Sequence, residues 1–388
     1  MLQNYFKIAI RNITRHKFYS FINVFGLTIG IAVSLLISLY VFDELSYDKF
    51  HADADRIHQI YLKGVLQGKP FDGANTCAPI AFASKEELAG VEDGTRLALW
   101  NGQVFRHEDH IYTEDKMLLA DSNFFSFFTF NLLEGNVDDI LNGPNQIVLT
   151  EKTAKKYFDY EPGDANSPVG KNLLWGSGKT NCEIVGIAKN PPSNSHFHFD
   201  IILSMESWDF SRRTQWTSNS LYSYVKLQKS ADPEVVQESM LAMSDKYVGP
   251  EIEQFTGMTL QEFRKNGDGE YAYYMQPMMD IHLFSRVDGN IEAPGDIAYV
   301  YLLSLVSIFI IVIACINFMN LATARSSSRA KEVGIRKTVG APKKLLVSQF
   351  LMESIVRLGG IGLELCWVIG IIKFNDRPWA TFPWATGI

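Results

Sequence analysis

The chain has 388 residues, 47% of them hydrophobic, with a mean hydropathy near zero and a formal net charge of −7, averages that an ordinary protein of two or three domains also shows. The charge is unevenly spread: residues 1–42 carry +4, residues 297–388 carry +6, and the segment between them carries −17. A middle that acidic excludes a nucleic-acid partner, whose phosphates demand lysine and arginine.

Lys7, Arg11, Arg15 and Lys17 open the chain with no acid among the first 42 residues. Residues 18–42 then contain no charged side chain for 25 positions, roughly 37 Å of helix at ~1.5 Å per residue, which is enough to cross a bilayer with some tilt. The sequence "VFDELSYD" follows where a signal peptide would need small residues for cleavage, so the segment reads as a retained first transmembrane helix. Inside it Gly26, Gly30, Ser34 and Ser38 recur every four residues. On a helix that spacing makes a ridge of small side chains against which another helix packs closely, the partner being the second span or another subunit.

Residues 43–296 read as an α+β domain. Strands are predicted over 56–66, 146–150, 182–188, 196–204, 221–228 and 272–283. A helix follows at 151–158, with Thr150 able to cap it, and another runs over 233–248 behind the Asp232–Pro233 pair that suits a helix start. The stretch "LLWGSGKT" contains the tail of a phosphate-binding loop in Gly178, Lys179 and Thr180. Leu173 stands where the leading glycine belongs, and "NCEIVGIAKNPP" supplies a strand and a proline stop where the motif requires a helix. A turn between two strands of a hairpin is expected instead.

Chemistry in this segment is sparse. His196 and His198 alternate on a predicted strand and so share a face, either towards a metal or towards solvent with Phe197 and Phe199 packed inward. His107 and His110 form a second pair, also without a third ligand at suitable spacing. No nucleophile elbow, zinc-protease helix or C-x-x-C is present, so neither enzyme activity, a metal nor a cofactor is predicted. Cys77 and Cys182 could pair in an oxidising compartment, which spacing alone does not decide. Cys315 and Cys366 lie in apolar segments.

Residues 297–324 are 28 positions without charge and read as the second transmembrane helix, with Asn317 and Asn320 near its end. Arg325, Arg329, Lys331, Arg336, Lys337, Lys343 and Lys344 follow against the single acid Glu332. Basic flanks mark the cytoplasmic side, so residues 1–17 and 325–354 are placed inside and 43–296 outside. The "GSGKT" turn then lies on the side that normally lacks ATP. Residues 325–354 are expected to continue the span as a charged helix, break at 340–342, and resume with Leu346 and Phe350 on one face. Residues 355–388 begin like a third span, but Arg357 and Glu364 interrupt it, each costing up to ~3 kcal/mol near a helix centre. An incomplete or degenerate third transmembrane region is expected there.

The stretch "RAKEVGIRKTVGAPKKLLVSQFLMES" resembles the cytoplasmic signature of the MacB/FtsX-type permeases of ABC transporters, matching it at Arg329, Lys331, Glu332, Gly334, Arg336, Lys337, Gly340, Ala341, Gln349, Phe350, Glu353 and Ser354. "NYFKIAIRNITRHKFYSFINVFGLTIG" and "DELSYDKFHADADRI" resemble the amphipathic stalk (1–17), first span and first outer residues of the subgroup common in Bacteroidetes-like bacteria. "PNQIVLTEKTAKKYF", "PVGKNL" and "NPPSNSHFHFD" resemble its outer core domain. The resemblance, over roughly residues 1–356, implies an α+β extracytoplasmic domain between transmembrane helices of an integral protein of the bacterial inner membrane. It implies a permease subunit that relays ATP-driven motion from a separate ABC ATPase to a periplasmic domain, acting on an envelope substrate of the lipoprotein, peptide or antibiotic class. The ATPase-coupling role falls on Arg329, Lys331, Glu332, Gly334, Arg336, Lys337, Gly340 and Ala341. Membrane lipid and a homodimer or a paired permease half complete the implied partners. The alternative is a two-span membrane sensor with an extracytoplasmic ligand-binding domain, which should carry a coiled-coil linker and an output domain after the second span.

Overall fold

A computed structural model describes residues 17–66, 69–163, 166–265 and 270–338. The chain divides into two compact units, one of residues 1–45 with 297–388 and one of residues 46–296. The first contributes helices α1 (Lys17–Glu44) and, at the far end, α7 (Ile297–Thr338). Residues 1–16, the break at 340–342 and the region 355–388 lie outside the described residues.

The second unit runs β1 (Ile57–Leu66), β2 (Lys69–Gly73), β3 (Thr76–Cys77), α2 (Ile80–Glu87), β4 (Val91–Trp100), β5 (Gln103–His107), β6 (His110–Glu114), β7 (Met117–Ala120) and α3 (Phe124–Phe127). It continues with β8 (Leu132–Glu134), β9 (Gln146–Thr150), α4 (Glu151–Phe158), β10 (Asn172–Trp175), β11 (Thr180–Ala188), β12 (Ile201–Ser204), β13 (Asn219–Leu227), α5 (Pro233–Thr256), α6 (Leu260–Lys265) and β14 (Tyr271–Pro277). The main path of the sheet is β14-β1-β13-β4-β7-β12-β9-β11-β10-β5-β6, with β2, β3 and β8 pairing off it. Pairing is antiparallel except for β7 with β12 and β9 with β11. The parallel partners sit mid-sheet, and β7 and β12 are buried along their whole length. This explains why "MLLA" and "IILS" carry no polar alternation: both faces of the sheet are covered there.

One face buries a phenylalanine cluster, with Phe124, Phe127, Phe128, Phe130, Phe197 and Phe199 all in the same core. The rings meet mostly edge-to-face or tilted at 4.9–6.4 Å between centroids, the arrangement their quadrupoles favour. A second core joins β9, β11 and β12 to α4 through Ile147, Leu149, Ala154, Tyr157, Ile184 and Leu203. A third lies under α5, around Met240, Met243, Val248 and Tyr273.

Local signals formed as their chemistry dictates. Thr150 Oγ1 accepts from Thr153 N at 3.3 Å at the start of α4, and Asp232 Oδ1 accepts from Glu234 N at 3.0 Å at the start of α5. The "GSGKT" segment is the turn of the β10–β11 hairpin, with Trp175 opposite Thr180. Gly176 and Lys179 adopt positive φ of 71° and 52° there, and a strand follows, so no helix N-terminus faces the turn.

Three readings require correction. The strand expected over 196–204 is confined to Ile201–Ser204, because the backbone before it bonds elsewhere: His196 N donates to Asp48 Oδ1 and Asn194 O accepts from Asp48 N. Helix α5 continues past Val248 and through Pro250 to Thr256, stopping at Gly257 in the left-handed region. Burial of Val248 and Ile252 against the sheet outweighs the one hydrogen bond that the proline removes. The last strand ends at Pro277, and a 3₁₀ turn occupies Met278–Asp280.

Candidate functional site: the helix pair and the polar clusters of the outer domain

Helices α1 and α7 each contain a stretch, Phe25–Glu44 and Ile297–Asn317, long and apolar enough to cross a bilayer. Phe25, Ile29, Leu39 and Phe42 on one, and Tyr301, Leu305, Ile308 and Val312 on the other, are exposed, as lipid-facing side chains would be. The small residues turn the other way. A Cβ on Gly26 would stand 3.6 Å from Asn317 Nδ2, and one on Gly30 would stand 3.0 Å from Ala314 Cβ. One helical turn on, Ser34 Oγ donates to Ser307 O at 3.2 Å and Ser307 Oγ donates to Ser34 O at 3.4 Å, both serines being buried. Ser38 Oγ bonds back to Ser34 O within α1 at 2.8 Å. In hydrocarbon the hydrophobic effect gives helices no mutual attraction, so this close approach and the paired hydroxyls supply the contact.

Helix α7 does not stop where its apolar stretch stops. Its 42 residues run unbroken to Thr338, roughly 63 Å at ~1.5 Å per residue. Arg329, Lys331, Glu332, Gly334, Arg336 and Lys337 are therefore carried on the same helix as the span. Around Gly334 there is open space, and Ile335 beside it is 60% exposed. Gly340 and Ala341 lie outside the described residues.

In the outer unit the titratable side chains form separate clusters. Arg96 on β4 is buried and fully engaged. Its Nε and Nη2 donate to the two carboxylate oxygens of Asp121 at 3.0 and 2.8 Å, while Nη1 donates to Ala78 O and Ser211 O at 3.0 and 2.7 Å. The pair borders a cavity of about 330 Å³ that Lys85, Asp93, Asn123 and Glu206 also line. Lys85 is bonded to Asp93 and Glu206 to Arg212 outside the cavity, so each charge lining it already has a partner.

His196 and His198 do not converge. His196 is buried, its Nδ1 2.8 Å from Asp48 Oδ1 and its Nε2 3.0 Å from Tyr224 OH, which corrects the solvent-facing alternative. His198 points elsewhere, its Nδ1 2.9 Å from Glu292 Oε1, a carboxylate that also accepts from Lys116 at 3.0 Å. Burial opposes ionisation of Glu292, yet His198 and Lys116 together hold its carboxyl below the usual range. His51 lies beside Asp48 and is pushed down to about 4 by burial, an effect that the Asp48 charge only partly opposes. His107 and His110 face each other across the β5–β6 hairpin, with Phe158 against the first and Tyr112 against the second. Among the described residues no group of three or more metal-ligating side chains converges. Cys77 and Cys182 are buried free thiols in different cores, each pushed up to about 12 by burial. Asp48, Asp121, Asn194 and Glu292 are invisible to sequence reasoning, because each meets its partner across 25 to 148 residues.

Comparison with known proteins adds the following. The MacB-like periplasmic core domain family matches residues 20–243, more than half the chain, and the FtsX-like permease C-terminal family matches residues 304–372. A Bradyrhizobium diazoefficiens protein named macrolide export ATP-binding/permease protein MacB is 22% identical over 94% of this chain and 52% of its own length. The Bacillus subtilis ABC transporter permease YknZ is 22% identical over 93% of this chain and 84% of its own. The chain thus spans about half of the first relative and most of the second. A solved permease-protein domain from Porphyromonas gingivalis superimposes with a TM-score of 0.50 at 24% identity, covering 65% of this chain and 98% of that one, a likeness of fold.

Proposed function

The chain belongs to the MacB/FtsX family of ABC transporter permeases, and from that premise we propose that it is the membrane subunit that carries ATP-driven motion from a separate cytoplasmic ATPase to a periplasmic domain. In this reading it sits in the bacterial inner membrane with α1 and α7 across the bilayer, residues 1–17 and 325–354 inside, and residues 43–296 in the periplasm. It works as a homodimer or with a paired permease half. The substrate is an envelope molecule of the lipoprotein, peptide or antibiotic class, moved or released on the periplasmic side.

One observation carries the proposal. Helix α7 joins the apolar stretch and the basic segment containing Arg329, Lys331, Glu332, Gly334, Arg336 and Lys337 without a break. A continuous helix transmits a push along its axis, whereas a loop at the membrane surface would absorb it. The basic charge and the exposed Ile335 beside Gly334 suit a protein surface that docks there, and Gly340 and Ala341 extend the same segment in the sequence. The mechanism needs no catalytic group in the outer unit. These residues contain no complete phosphate-binding loop, and in this reading the hydrolytic energy is supplied by the ATPase.

Affinity purification of the full chain from its native membrane tests this. An ABC ATPase should accompany the unaltered protein. Arg336→Glu combined with Gly340→Leu should reduce its recovery on the order of tenfold or more, the scale expected when charge and backbone fit at a docking site are both lost, while membrane insertion stays equal. Unchanged recovery would remove the coupling role from this segment.

A further inference from the structure

The two segments that connect the outer unit to the membrane helices are distant in sequence, yet one loop holds both. The entry segment follows α1 directly. Asp48 N donates to Asn194 O at 2.8 Å, and Asn194 Nδ2 donates to Ser46 O at 3.1 Å and to Ser46 Oγ at 2.9 Å. Two residues along the loop, His196 N donates to Asp48 Oδ1 at 3.1 Å and the His196 ring reaches the same carboxylate. After two more, His198 meets Glu292 of the exit segment, five residues before α7, at 2.9 Å. The segments also touch each other: the Tyr47 and His282 rings stack with centroids 3.4 Å apart and planes within 2°.

This alternation has a cause in packing. Asn194 sits in a turn and His196 in a bend, so the loop is not a regular strand; Ser195 and Phe197 between the three polar residues and Phe199 after them are buried, the two phenylalanines in the phenylalanine core. The core side anchors the loop to the body of the domain, while the polar side grips the two connecting segments. The grip on the entry side is itself buried: Asp48 is fully enclosed with φ of 59°, and Thr129 N donates to His51 Nδ1 at 3.1 Å just beyond it. A left-handed aspartate that spends its carboxylate on another segment is an expensive local geometry, retained only where surrounding contacts over-determine it.

We infer that Asn194, His196 and His198 are positioning residues of a clasp that ties the entry segment (residues 46–52) and the exit segment (residues 281–292) into one unit, so that neither loosens from the domain without the other. With the transport reading above, on which the mechanical use of the clasp rests, displacement of α1 and of α7 reaches the outer domain at one place, the loop before β12, rather than at two independent hinges. The phenylalanine core behind the loop then receives the motion.

Amide hydrogen exchange on the full chain in detergent tests the clasp with no ATPase present, so its outcome is separate from that of the co-purification experiment. In the unaltered protein the amides of 46–52 and of 281–288 should open with the same protection and the same denaturant dependence, as members of one cooperative unit. Asn194→Ala touches only the entry side and Glu292→Ala only the exit side. Each is expected to speed exchange of both segments on the order of tenfold, with β7, β9 and β12 unchanged. Glu292→Gln, which keeps an oxygen for His198, should restore protection. Loosening confined to the segment each substitution touches would overturn the proposal. So would unequal protection of the two segments in the unaltered chain, a result that needs no variant to fold.

Discussion

Ser34 and Ser307 exchange hydrogen bonds, each hydroxyl donating to the other's backbone carbonyl at 3.2 and 3.4 Å. The exchange is possible only because Gly30, one turn away, lets α1 approach until its Cα faces the Ala314 methyl. A hydroxyl bonded to a facing backbone fixes both rotation and register of the two helices, which apolar packing alone would leave free to slide.

The hydroxyls and the glycine should therefore differ in weight. Interhelical hydrogen bonds in a bilayer average about 0.6 kcal/mol each, so Ser34→Ala with Ser307→Ala should weaken the helix pair by about 1 kcal/mol. Gly30→Leu adds a branched side chain where a Cβ alone already meets Ala314 at 3.0 Å, and overpacking of this kind costs about 1–3 kcal/mol. Equilibrium unfolding in mixed micelles measures both. A glycine substitution no worse than the double serine change would show that close approach is not what holds α1 to α7.

His51 makes the outer unit acid-sensitive. Its Nδ1 accepts from Thr129 N, so the neutral ring carries its own proton on Nε2, which has no hydrogen-bond partner among the described residues; an added proton would have to go on Nδ1 and displace the Thr129 bond. Burial brings the folded-state value down to about 4 from the ordinary 6.5. The unfolded chain therefore binds more protons between these values, and stability is full above pH 6.5 and falls as the pH drops towards 4. The whole effect amounts to about 3 kcal/mol at one pKa unit per ~1.4 kcal/mol. Denaturation of the full chain in detergent at pH 7 and pH 4.5 should reveal most of that loss. His51→Asn, which still accepts from Thr129 but cannot be protonated, should show little of it. An identical pH drop in both proteins would assign the sensitivity elsewhere.

The Arg96–Asp121 pair should behave as a single unit. Removing one member of a buried ion pair strands the other charge, at a cost of about 3–5 kcal/mol. Arg96→Lys should be nearly as harmful as Asp121→Ala, because an ammonium cannot grip the carboxylate at two points and still reach Ala78 O and Ser211 O. Replacing both residues by leucine should cost much less than the sum of the single changes. A double-mutant cycle read by thermal unfolding provides the check; additive effects would mean that the two side chains act independently.

What was legible in the sequence was local. Charge-free runs marked the apolar helices, the recurrence of Gly26, Gly30 and Ser34 marked one side of α1, and Thr150 and Asp232 marked two helix starts by a side-chain oxygen within reach of the next turn. The stretch 196–200, read as the start of a strand, shows where such reading ends. Its alternating histidines and phenylalanines have the period of a strand, but His196 N is bonded to the carboxylate of Asp48, 148 residues away, and a period of two is equally served by a loop packed on a core.

Which segments are apolar, where the basic charge follows the second of them, and that the glycine-rich turn is a hairpin without a phosphate site could all be read along the chain, because each depends on neighbours within a few residues. That His196 and His198 serve two different carboxylates, that Cys77 and Cys182 lie in separate cores, and that one loop fastens both ends of the outer unit came from long-range packing. Those outcomes follow from which distant chain segments the burial of β7, β9, β12 and the phenylalanine cluster brings together, and no spacing along the chain encodes that choice.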